Sequence, residues 1–283
     1  MKFEFVEGLS RPGDPAKPND DAFCHAPSLA AVFDGATSLS EPLMPVDSEA
    51  AWIARRGAEG LIAHEGLGAR EALRRAAADA ERDYIALRSR PPIENYELPL
   101  ASMMLAAPCG DGVEFCWFGD CAALVRRPGK SVEIIGEALA KRSAEARRVE
   151  KLANAGGLAP TAGIHRPDYL AALRTARNFV NTREDRWAFS PDANCANYVS
   201  SRVAPLVLQT DIILCTDGFL ALTSDYGRYD ADALVDAAVS RGLRPLFDEL
   251  RTIERDDPDG RRFPRFKVSD DATALLIRAV EAA

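Results

Sequence analysis

Residues 212–219 read Ile-Ile-Leu-Cys-Thr-Asp-Gly-Phe: an apolar run suited to a buried strand, then a carboxylate and a glycine where that strand must end. The same order occurs at 29–35, Leu-Ala-Ala-Val-Phe-Asp-Gly, and it is inverted at 269–277, where Ser-Asp-Asp-Ala-Thr leads into Ala-Leu-Leu-Ile. Asp34 and Asp217 therefore close strands, and Asp270 opens one. If the last strand runs antiparallel to the other two, these three carboxylates meet on one rim. Asp21 in Pro18-Asn19-Asp20-Asp21-Ala22-Phe23 and Asp120 in Phe118-Gly119-Asp120-Cys121 stand at further strand ends.

Gathering carboxylates at about 4 Å costs on the order of 4 kcal/mol per pair at an effective dielectric near 20. Shared protons or bound cations must offset that repulsion. No His or Cys recurs with these aspartates in a zinc-like spacing, so the donor set is hard oxygen and favours Mg²⁺ or Mn²⁺. Glycine adjoins three of the five, as Gly35, Gly218 and Gly119. A residue without Cβ lets the backbone turn sharply and approach an ion closely.

The rest of the composition narrows the partners. Of 283 residues 47% are hydrophobic, enough for a sizeable core, and the formal charge is −8 without any Lys/Arg block. Nucleic acid and anionic membrane are thereby disfavoured, and a small ligand or another protein is expected. The charged N-terminal stretch, broken by Pro12 and Gly13, lacks the apolar region of a secretory signal, and no stretch has the length of a membrane span. Cys24, Cys109, Cys116, Cys121, Cys195 and Cys215 are scattered, never C-x-x-C, which suits reduced cysteines in the cytoplasm.

Strands are expected at the N-terminus, in a hairpin of 22–25 with 29–33, and at 100–107, 113–118, 122–125, 132–135, 203–208, 212–215 and 272–280. Helices are expected at about 48–64 with Asp47 as N-cap, 69–88, 143–154 closed by Gly156-Gly157, 231–241 and 243–255. Residues 158–201 show no period and read as a loop-rich flap subdomain within a single domain, 1–283. Strands in hairpin-linked runs with helices grouped between them favour an α+β class. Two mainly antiparallel sheets flanked by helices make a four-layer αββα sandwich.

With these segments in order, the chain resembles the PPM, or type 2C, metal-dependent protein phosphatases, in the manner of a bacterial member. Asn19-Asp20-Asp21-Ala22 is similar to the family's N-E-D-A, Val32-Phe33-Asp34-Gly35 to its central D-G, and Phe118-Gly119-Asp120-Cys121 to its G-D-S strand. Thr216-Asp217-Gly218-Phe219 resembles S-D-G-L, and Asp270-Asp271-Ala272-Thr273 resembles D-N-x-T. The helix at 143–154 with its Gly-Gly is similar to the one before the family's flap. The resemblance implies that Asp34 bridges two ions, Mn²⁺ or Mg²⁺, with the Gly35 carbonyl completing one site and Asp217 and Asp270 binding the other. Asp20 and Asp21 would hold metal-bound waters or reach a metal, and Asp120 would help bind a third, more weakly held ion. The implied reaction is hydrolysis of phosphoserine or phosphothreonine in a protein by water activated between two metals, with no side-chain nucleophile.

Departures from the pattern define the alternatives. Ala16 stands where many relatives carry a phosphate-gripping Arg, leaving Lys17 and Arg11 as the nearest replacements, and a lysine offers a point charge instead of a fork. Asp34-Gly35 continues into Ala36-Thr37-Ser38, without the His found in many relatives. A catalytically weak phosphatase-like binding module and a phosphatase for a small metabolite are the competing readings. His25 and His64 read as packing or surface residues, His165 as the histidine to test for substrate contact, and Trp187 as an anchor of the flap.

Overall fold

The computed structural model describes residues 1–139, 167–182 and 186–282. The chain begins with three strands, β1 (Lys2–Arg11), β2 (Asp21–Ala26) and β3 (Leu29–Gly35), followed by two helices, α1 (Glu49–Ala63) and α2 (Ala69–Leu87). Four strands follow: β4 (Ala101–Cys109), β5 (Gly112–Phe118), β6 (Ala122–Arg126) and β7 (Glu133–Ile135). Then come α3 (Pro167–Arg177), β8 (Ser200–Pro205), β9 (Asp211–Cys215), α4 (Asp217–Ser224), α5 (Ala231–Arg241), α6 (Leu243–Asp256) and β10 (Ala272–Val280).

These strands form two five-stranded sheets, ordered β1-β10-β9-β6-β7 and β2-β3-β4-β5-β8. Every ladder is antiparallel. Between the sheets lies a layer of Phe3, Val32, Met104, Phe115, Val125, Ile212, Leu275 and Ile277, all at most 1% exposed. Each large side chain so buried contributes about 1.5–3 kcal/mol. A second layer packs α1 and α2 on the β2–β8 sheet through Ile53, Leu61, Leu73 and Ala76, and a third packs α4, α5 and α6 on the other sheet through Phe219, Leu234, Leu246 and Phe247. The fold is therefore α+β, helices outside and two sheets inside, as the strand grouping implied.

Several elements depart from expectation for physical reasons. Ser48, not Asp47, caps α1: its hydroxyl accepts from the Ala51 amide at 3.1 Å. The expected strand at 203–208 forms instead at Ser200–Pro205, where it pairs with β5. Helix α4 was not anticipated, because Gly218, Phe219, Leu220, Ala221 and Leu222 are all buried and leave no polar face to mark a helical period. Helix α3, Pro167–Arg177, arises inside the stretch read as loop-rich. The helix expected at 143–154, its Gly156-Gly157, and His165 with Arg166 lie outside the described residues.

All six cysteines are unpaired, with Cys109 exposed and the others buried. Trp187 stacks flat on Tyr198, ring centroids 3.8 Å apart, and packs on the layer beneath α1 and α2. At the far end of β9, Asp211 is held by Arg126 and Arg278, at 2.8 Å from Arg126 Nη2 and 2.7 Å from Arg278 Nη2. That buried carboxylate is satisfied within the fold and stands apart from the strand ends that carry Asp217 and Asp270.

Candidate metal centre

Register brings the aspartates together. In the β2–β3 ladder Asp21 lies opposite Asp34, and in the β3–β4 ladder Asp34 lies opposite Ser102. Ser102 Oγ donates to Asp120 Oδ1 at 2.6 Å, so the turn after β5 is tied to the same rim. In the other sheet β9 and β10 run antiparallel, with Cys215 paired to Ala274. The end of β9, followed by Asp217, and the start of β10, preceded by Asp270 and Asp271, therefore share an edge.

Thr216 joins the two sheets at this edge. Its hydroxyl donates to Asp21 Oδ2 at 2.8 Å and accepts from the Thr273 amide at 3.0 Å. Ser48 Oγ, the cap of α1, also donates to Asp20 Oδ1 at 2.5 Å. The Asp271 carboxylate accepts from the Gly13 amide at 2.7 Å and the Asp20 amide at 2.6 Å, which fastens the loop before β2 to the start of β10. Two glycines are required by close packing. A Cβ on Gly35 would lie 2.4 Å from the Ala50 carbonyl oxygen, and one on Gly218 would lie 2.0 Å from the Asp271 carbonyl oxygen.

The electrostatics follow from burial of like charges. Burial raises the pKa of Asp34 well above the usual carboxylate range, and Asp21, Asp217, Asp120 and Asp270 push it further. Asp21 is raised by burial and by Asp271 and Asp270, against hydrogen bonds from Thr216 and Thr273. Asp20 is raised by burial, with the Ser48 bond opposing. Burial, then the nearby aspartates, also pushes up the Cys121 thiol, which removes it as a thiolate ligand.

Asp20, Asp21, Asp34, Asp120, Asp217, Asp270 and Asp271 thus share one rim, where Asp20, Asp21, Asp120, Asp270 and Asp271 each meet a local partner and Asp34 meets the charges of the other aspartates. Among the described residues no group of three or more His, Cys, Asp or Glu side chains is placed so as to hold a metal ion. Asp21 Oδ1 is buried without a hydrogen-bond partner, an oxygen with a free lone pair on the same rim. Oxygen donors only, mutual repulsion and one unsatisfied buried carboxylate oxygen fit a hard divalent cation.

The two cations expected to grip a phosphate are engaged elsewhere. Arg11 pairs with Asp248 of α6 at 2.6 Å and lies over the Phe247 ring, while Lys17, largely exposed, pairs with Asp14 in its own turn at 3.7 Å. The cation at the aspartates is instead Lys267, whose Nζ lies 2.7 Å from Asp270 Oδ1. Thr216, Ser48, Asp271 and Lys267 escaped the sequence reading. Asp271 alone left a signal there, as the carboxylate standing at the Asn position of the family's D-N-x-T.

No protein-family model and no curated protein matches the sequence. Solved structures do match. The Mycobacterium tuberculosis serine/threonine phosphatase PstP/Ppp superposes with a TM-score of 0.58 at 13% identity, over 99% of this chain and 100% of that one. This is the fold of the PPM phosphatases. The PPM Ser-Thr phosphatase MsPP from Mycobacterium smegmatis, in complex with cacodylate, gives a TM-score of 0.54 at 16% identity over 97% of both chains. The PstP catalytic domain in complex with two manganese ions gives 0.55 at 12% identity over 99% of both. The PPM fold accounts for the sandwich and for the rim on which the aspartates sit.

Proposed function

We propose that the chain is a metal-dependent phosphomonoester hydrolase acting on phosphoserine and phosphothreonine in proteins. The observation that carries this reading is the grouping of Asp34 with Asp21, Asp217, Asp120 and Asp270 around a buried, unpartnered Asp21 oxygen. In this reading Asp34, the Gly35 carbonyl, Asp217 and Asp270 hold two divalent ions, Asp20 and Asp21 fix their waters, and Asp120 serves a third, weaker site. Such ions activate water and neutralise charge on a phosphoryl group. The manganese ions bound by the PstP catalytic domain, which has the same fold, support Mn²⁺ as one candidate.

The protein's own part is positional. Thr216 holds Asp21 against β10, Ser48 holds Asp20 against α1, and Ser102 holds Asp120 against β4. Each hydroxyl fixes one carboxylate oxygen, and the second oxygen of Asp21, Oδ1, is left without a hydrogen bond. A cysteine nucleophile has no place in this reading, because burial raises the Cys24, Cys116 and Cys195 thiols to about 12 and keeps them protonated. Reduced buried cysteines suit the cytoplasm, and among the described residues no helix is long and apolar enough to cross a membrane.

The Lys267–Asp270 contact, together with Ala16, favours a second reading: a phosphatase-like module that binds a partner with little turnover. One experiment separates the two. Release of phosphate from p-nitrophenyl phosphate and from a phosphopeptide panel is measured across a Mn²⁺ series, with D34A and D217N as controls. Metal-dependent turnover abolished by both substitutions is expected. No hydrolysis at any Mn²⁺ concentration, with no divalent binding by calorimetry, would leave the binding module standing.

A further inference from the structure

Lys267 sits in the segment between α6 and β10, and its ammonium donates to Asp270 Oδ1 at 2.7 Å. Asp34 and Asp217 also act on that ammonium, and it acts in turn on Asp20. One positive charge therefore serves carboxylates from both sheets. Its backbone anchor is built: the Asp257 carboxylate accepts from the Arg261 amide at 3.0 Å, the Arg262 amide at 3.1 Å, the Phe263 amide at 3.0 Å and Arg265 Nη1 at 2.8 Å. The Lys267 side chain keeps 38% exposure, so its flexible stem has room to move while its anchor stays fixed.

We infer that Lys267 is a tethered counter-cation of the acidic centre, which a divalent ion must displace from Asp270 before that carboxylate can coordinate it. The inference rests on the reading of Asp270 as a metal-holding residue. An ammonium and a divalent cation on the same carboxylate oxygen repel each other, so one excludes the other. Because the ammonium is attached to the chain, its effective concentration at Asp270 is high and independent of solution conditions. The tether therefore lowers affinity at the Asp270 ion, and it holds the aspartates together when that ion is gone.

The test is Mn²⁺ calorimetry on the unmodified protein, K267M, K267Q and the D270N forms of each, with thermal unfolding in EDTA and in saturating Mn²⁺. K267M is expected to bind the ion at Asp270 about tenfold more tightly. D270N should remove that difference. In EDTA the K267M and K267Q proteins should unfold at lower temperature than the unmodified protein, and saturating Mn²⁺ should close the gap. K267Q keeps a polar head and serves if K267M folds poorly. Mn²⁺ affinities of K267M and K267Q within about twofold of the unmodified protein, or equal unfolding temperatures of the three in EDTA, overturn the inference. If the unmodified protein binds Mn²⁺ and the variants bind it equally, the role of Lys267 falls and the phosphatase reading stands; if none binds Mn²⁺, both fall.

Discussion

Asp21 faces Asp34 directly across the β2–β3 ladder, two carboxylates at one level of one sheet, each raised by burial and by the other aspartates of the rim. Opposed like charges across strands are destabilising by about 1 kcal/mol, and burial adds to that. The metal-free protein therefore carries a local strain that only cations or protons relieve. D34N is expected to raise the unfolding temperature in EDTA while abolishing the rise that Mn²⁺ gives the unmodified protein. Scanning calorimetry in the two buffers checks both halves, and a lower unfolding temperature in EDTA would mean that Asp34 is held by partners rather than repelled.

What makes this arrangement legible in sequence is the alternation of apolar run and Asp-Gly. Asp34 and Asp217 follow short apolar runs that suit buried strands, so their place at a sheet edge follows from chain direction. The partners that aim the carboxylates were not legible, because Thr216, Ser48 and Ser102 are small hydroxyl residues whose pairing depends on how the two sheets stack. Lys267 was hidden for a different reason: a lone lysine in a polar loop looks solvated until the loop is fixed in space. Ala16 had the opposite effect: it left Arg11 and Lys17 as the nearest cations in sequence, yet the α6 surface and a local turn engage them. The short helix α4 was concealed by being apolar almost throughout.

Thr216 carries two bonds at the seam between the sheets, donating a hydrogen bond to Asp21 and accepting one from the Thr273 amide. T216V keeps the shape and strips both. A buried carboxylate oxygen and a buried amide are then unsatisfied, at a cost of about 1–3 kcal/mol for each group. T216S should restore most of that stability in urea unfolding. Loss of Mn²⁺ affinity in T216V, regained in T216S, is expected alongside, since Asp21 loses the bond that orients it.

Thiol reactivity follows from burial. Cys109 is exposed at the tip of the β4–β5 hairpin, while the other five are buried. Ellman's reagent should therefore label one thiol rapidly in the folded protein and all six after denaturation. The C109S protein should show no rapid labelling, and the labelled protein should keep its Mn²⁺-dependent turnover. Inactivation by labelling at Cys109 alone would tie the hairpin to the site.

Away from the acidic cluster, Glu97 is the clearest source of acid sensitivity. It is buried, at 8% exposure, and its carboxylate accepts from Arg90 Nη2 at 2.7 Å, from the Ile93 amide at 2.5 Å and from the Glu94 amide at 3.3 Å. The Arg90 hydrogen bonds hold its pKa down to about 2, against the opposing effect of burial and with help from the two amides. The folded pKa lies below the unfolded one, so the unfolded chain binds the proton first as pH falls. The stabilisation is complete above the unfolded value of 4.5 and is lost as pH falls from there through about 2. E97Q is expected to cost about 2 kcal/mol at neutral pH, the scale of a hydrogen bond to a charged group. Because the substituted protein has no carboxylate to protonate at 97, its unfolding free energy should fall less steeply between pH 5 and pH 3, and parallel slopes in urea titrations would place the acid sensitivity elsewhere.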